Sequence, residues 1–202
     1  MNDRFVKSFW IFCAATSLVA SLAVEPAAAK KKARPPEELT NFLLGPEHSQ
    51  WMVGAIYWLA TEKEVAEYQR LTSDAEASAF RERFWAARTT SKSVWPAKQP
   101  QGVYEERARE ADTLYSEGPR PGRRSARGTV HILFGPAEDV RFELSTRPGN
   151  PSIEVWEYPK GAPDGLHGEP PKRFYYFVRE GEYTVETNAP HRQRLRRPGG
   201  GS

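Results

Sequence analysis

An α+β fold, with N-terminal helices packed on a mainly antiparallel sheet of four or five strands, is what this 202-residue chain predicts. Helix signals crowd residues 61–116 and strand signals crowd residues 129–186. Such grouping, rather than alternation, separates α+β from α/β architectures. The boundary is Gly118-Pro119-Arg120-Pro121-Gly122, which no helix crosses because proline lacks the amide donor and clashes with the preceding turn. Six Trp, eight Tyr and ten Phe are enough for the core of one ordinary domain.

Residues 1–29 read as a signal peptide. Arg4 and Lys7 precede an apolar run at 9–24, and Ala27-Ala28-Ala29 supplies the small-x-small pattern of a cleavage site. The run is 16 residues long and diluted by Thr16, Ser17 and Ser21, whereas a spanning helix needs about 20; retention as an uncleaved anchor is the alternative. Cys13 follows Ile11-Phe12 without the small residue of a lipoprotein signal, so no lipid attachment is expected. Cleavage after Ala29 would leave a soluble, extracytoplasmic protein, periplasmic or secreted, that starts at Lys30 and has no cysteine.

Residues 30–37 form a basic linker, 38–187 the domain, and 188–202 a basic, disordered tail. The charge is unevenly placed: residues 37–189 hold 19 basic and 24 acidic side chains, so the pI near 9.0 belongs to the ends. A nucleic-acid-binding domain concentrates basic charge on the fold itself, so no nucleic-acid partner is expected. The tails, with Lys30, Lys31, Lys32 and Arg34 at one end and Arg192, Arg194, Arg196 and Arg197 at the other, can touch an anionic membrane surface.

Short helices are expected at 38–44 and 50–59, with an extended segment as the alternative for the second, because Val53, Ile56 and Trp58 do not decide the period. Thr61-Glu62-Lys63-Glu64 is a capping box that opens a helix carrying Val65, Tyr68 and Leu71. Ser73-Asp74-Ala75-Glu76 repeats the device, and Ala77, Phe80, Phe84 and Trp85 form the apolar stripe of the next helix. A loop at 89–101 leads to a third helix carrying Tyr104, Ala108, Ala111 and Tyr115. Strands are expected at 129–134, 140–144, 153–158, 174–178 and 182–186, the last two joined by a hairpin at Glu180-Gly181. The predicted core is Phe80, Phe84, Trp85, Tyr104, Tyr115, Ile132, Phe134, Trp156, Tyr176 and Val185.

Chemistry is sparse. His48, His131, His167 and His191 show no metal-ligand spacing, no cofactor motif is visible, and the Gly-x-Ser-x-Gly elbow is missing. His131 reads as a histidine on a strand surface, too far along that strand from Ser125 for a direct nucleophile–base pair. Arg120, Arg123, Arg124 and Arg127, set among glycines, are candidates for an anion-binding loop; the competing reading is a solvated loop with Arg127 paired to a carboxylate. Trp51, Trp58, Trp85, Trp95 and Trp156 can stack on sugars, but most fall on core stripes.

Residues 57–71 (YWLATEKEVAEYQRL), 80–88 (FRERFWAAR), 127–140 (RGTVHILFGPAEDV) and 153–158 (IEVWEY) resemble the bacterial GWxTD domain family, in order, across about residues 38–187. Its signature aligns with Gly122-Arg123-Arg124-Ser125-Ala126: Gly122 is kept, Ser125 stands for Thr, and Arg123 and Ala126 replace Trp and Asp. The resemblance implies the fold and brings no catalytic residue, cofactor or substrate. Together these features suggest an exported, non-enzymatic envelope module that binds a protein or an anionic envelope polymer. The alternative is a hydrolase using Glu138, Asp139 and Glu157.

Overall fold

Thr61 opens the first well-capped helix as expected. Its Oγ1 accepts from the Glu64 amide at 3.2 Å, and the Glu64 carboxylate accepts from the Thr61 amide at 2.7 Å. In this computed structural model, residues 39–89, 99–144 and 151–188 are described. The signal peptide, the basic linker, the C-terminal tail, Trp95 and most of the 89–101 loop lie outside the described residues.

Four helices build the first half: α1 (Ala55–Leu59), α2 (Glu62–Tyr68), α3 (Asp74–Thr89) and α4 (Pro100–Leu114). Of the expected helix at 38–44, the described residues 39–44 are irregular with a turn at 42–43, and of 50–59 only α1 is helical. At α3 the second cap is displaced. Ser73 Oγ accepts from the Glu76 amide, while the Glu76 carboxylate reaches past Ser73 to the Thr72 amide at 2.9 Å. Ala77, Phe80, Phe84 and Trp85 are buried together with Tyr104, Ala108 and Ala111 of α4, forming the first core. Arg88 extends the α3 stripe inward. Its guanidinium donates to the Phe84 and Leu59 carbonyls and to both oxygens of Glu64. This satisfies a cation that would otherwise be costly to bury.

Residues 129–134 are not a strand. They form most of α5 (Ala126–Phe134), capped by Ser125, whose Oγ accepts from the Gly128 amide at 3.0 Å. The β-branched alternation there also places Ala126, Val130, Leu133 and Phe134 at helical spacing, and packing on that stripe outweighs strand propensity. Gly135, at φ +83°, ends the helix. His131 is therefore buried on a helix rather than exposed on a strand, with Nε2 2.8 Å from Glu110.

The remaining strands, β1 (Asp139–Glu143), β2 (Ile153–Glu157), β3 (Phe174–Glu180) and β4 (Tyr183–Thr187), form an antiparallel sheet in sequential order. The fold is α+β. The last hairpin turns at Gly181-Glu182, one residue later than expected, with Gly181 at φ +61° in the first loop position that primed turns favour. Buried Trp156, Tyr175 and Phe177 face the helices with Val130, forming a second core. The predicted core residues Tyr176 and Val185 lie on the opposite face and are only half-buried. Strand side chains alternate, and because β3 carries aromatics on both faces, its inward parity is ambiguous in the sequence. Tyr115 and Phe134 are half-buried at the junction of the two cores.

Candidate functional site

The arginine-rich loop folds as a 3-10 turn (Gly122–Arg124) clamped between α4 and α5. Glycine is required here: a Cβ on Gly122 would lie 1.8 Å from the Ala111 carbonyl oxygen, and one on Gly128 would lie 1.8 Å from the Gly122 carbonyl oxygen. Ser125 is fully buried; besides capping α5, its hydroxyl donates to the Gly122 carbonyl at 2.8 Å. The two signature-like positions Gly122 and Ser125 are thus spent on close packing and capping. Arg123 and Ala126, the divergent positions, have other surroundings: Arg123 turns to Asp112, and Ala126 is partly buried against the second core.

The four candidate arginines do not converge on one site. Arg127 points inward, bridging Glu117 at 3.1 Å and Glu154 at 3.2 Å. Arg120 lies over the Tyr183 ring at 3.7 Å and near Glu117 at 3.8 Å. Glu117 is buried, and its Oε1 also accepts from the Thr184 amide at 3.2 Å. This cluster ties the loop and α5 to β2 and β4, so Arg120 and Arg127 are structural.

Arg123 and Arg124 line a different place, a cleft of about 600 Å³ between α3, α4 and the turn. Its walls include Trp51, Trp85 and Tyr104, and its charged rim holds Arg81, Arg109, Arg123 and Arg124 against Glu47, Glu105 and Asp112. Arg81 pairs with Glu47 at 3.1 Å, and Arg123 pairs with Asp112 at 2.5 Å, which raises the Arg123 pKa. Arg109 donates to the Glu105 backbone carbonyl at 3.4 Å. Arg124 donates to the neutral Gln50 side chain and forms no salt bridge among the described residues. Burial, and then the neighbouring Arg123 charge, pull its pKa below the ordinary value. Arg124 also lines a second cavity of about 290 Å³ with Arg120 and Tyr183. Burial pushes the Tyr104 phenol up to about 12, so it meets the cleft as a neutral wall.

A larger cavity of about 780 Å³ adjoins the cleft and shares Glu47, Arg81 and Trp85 with it. It contains His48, with Nε2 3.5 Å from Ser78 Oγ and Nδ1 3.3 Å from Arg81. A guanidinium can only donate, so its contact requires the lone pair on Nδ1 and leaves the proton on Nε2. The carboxylates Asp139 and Glu157 are occupied on the far face of the sheet by Arg141 and Arg173, and Glu138 is exposed beside them. No described residue group has the makeup to hold a metal ion.

Arg109, Arg81 and Asp112 were not picked out from the sequence. Their signal is weak, because charges on the outward face of an amphipathic helix look alike whether or not a cleft lies above them. Of the tryptophans, Trp85 and Trp156 are buried, while Trp51 and Trp58 are partly buried against the first core. No helix among the described residues is long and apolar enough to cross a membrane. No family model, curated protein or solved structure matches the chain.

Proposed function

We propose that this chain is an exported, non-enzymatic binding module of the cell envelope, and that the cleft at Arg124 holds an anionic group of its partner. The observation that carries this reading is Arg124 itself, a half-buried guanidinium that faces a cleft without a carboxylate partner among the described residues. An arriving phosphate or carboxylate would supply the missing counter-charge and accept in-plane donors, the geometry guanidinium groups match best. Arg109 stands on the same rim as a second cation, and the edges of Trp51 and Trp85 line the cleft wall.

Export is supported by the order of Arg4, Lys7, the apolar run and Ala27-Ala28-Ala29. Membership of the GWxTD family remains our proposal, supported by the ordered sequence resemblance and by the demanding roles of Gly122 and Ser125. The partner class is an anionic envelope polymer or an acidic protein surface. The test is retention of the purified protein on an immobilised carboxylated polysaccharide across a salt series. Wild type should be retained at low salt and released as salt rises, and Arg124→Ala should release much earlier; equal release of the two removes the cleft from the reading.

A further inference from the structure

The sheet is covered from one end: α5 packs on β4, while β1 runs along the far edge. On β1 the row that faces the same side as Trp156 is uncovered among the described residues. Val140 is 48% exposed, Phe142 68%, and Leu144, directly after the strand, 83%. An edge strand also carries a row of backbone donors and acceptors with no strand to pair with, and natural edges are normally blunted by charge on the exposed row. Here the charges, Asp139, Arg141 and Glu143, all lie on the other face.

We propose that β1 pairs with β1 of a second copy of this chain, antiparallel, about a two-fold axis through Phe142. The strand is self-complementary in that register. Phe142 meets Phe142, Val140 meets Leu144, and Arg141 meets Glu143 twice, once on each side of the axis. One face of the joint is then wholly apolar and the other is ion-paired, and the two sheets become one of eight strands. An axis through Arg141 or Glu143 sets like charges against each other, which is destabilising, and an axis through Val140 pairs Asp139 with Arg141 but sets Glu138 against Phe142, losing the apolar face. Because a joint of one short strand pair buries little area, the dimer is concentration-dependent.

Sedimentation equilibrium of the purified protein over a concentration series tests this. Wild type should rise from monomer toward twice the monomer mass. Glu143→Arg faces arginine with arginine on both sides of the axis and should stay monomeric. So should Arg141→Glu, which faces glutamate with glutamate. An equimolar mixture of the two restores opposite charges across the joint and should recover the dimer mass. Phe142→Lys, which leaves every ion pair of β1 in place, should be monomeric with an unchanged thermal melt. Monomeric wild type throughout, or a dimer indifferent to all three substitutions, overturns the proposal. A mixture no heavier than its components overturns the register.

Discussion

Replacing Arg127 with alanine strands two carboxylates inside the protein. The Glu117 side chain is 5% exposed and Glu154 13%, and Arg127, itself 22% exposed, is 3.1 and 3.2 Å from them. Removing one partner of a buried ion pair costs about 3–5 kcal/mol, chiefly through the uncompensated charge left behind. The remaining exposure of Arg127, and the nearby Arg120 guanidinium, place the expectation at the lower end, about 3 kcal/mol. For a domain of this size that lowers the thermal midpoint by roughly 6–12 °C. Urea unfolding followed by tryptophan fluorescence measures it. Adding Glu117→Gln to Arg127→Ala should recover part of the loss, because it removes one of the stranded charges. A loss below about 1 kcal/mol, the worth of an exposed pair, would refute the structural role of Arg127.

Gly122→Ala should cost at least about 3 kcal/mol in the same assay, the top of the usual overpacking range, because its Cβ meets the Ala111 carbonyl at 1.8 Å and the atoms it meets are α4 backbone rather than a movable side chain. A variant as stable as wild type would show that α4 and the turn can part freely. Burial pushes the Glu64 carboxyl up, but hydrogen bonds from Arg88 and Thr61 and the Arg88 charge outweigh it and hold the pKa below 4.5. The stability this contributes is therefore present above pH 4.5 and lost as the pH falls through the folded value. Glu64→Gln should accordingly flatten the acid limb of a stability–pH curve, and an unchanged limb would contradict the Arg88–Glu64 pairing.

The helices after Thr61 were legible because their signals are local. The Thr61 capping box and the Phe80-Phe84-Trp85 stripe determine the structure within a few residues of themselves. The segment after Ser125 was not, because Thr129, Val130, Ile132, Leu133 and Phe134 satisfy both periods, and only packing of Val130 and Leu133 decides between them. Tyr176 and Val185 share one face of the sheet whichever of the two hairpin positions is used, and only tertiary structure shows which face of β3 is inward. The Arg120–Arg127 segment was recognised as special, yet spacing along the chain cannot show that Arg120 and Arg127 turn toward Glu117 while Arg124 turns toward a cleft. The residues that complete that cleft, Arg81 and Arg109, come from two helices whose approach is a product of the fold.

The proposed anion site is tested most directly by amide and guanidinium NMR of the protein titrated with inorganic phosphate, since the basic segments at both ends compete as binding sites. The cleft reading expects saturable shifts centred on Arg124, Arg123 and Arg109, abolished by Arg124→Ala with the fold intact. Shifts confined to Lys30, Lys31, Lys32 and the arginines after His191, unchanged by Arg124→Ala, would contradict it.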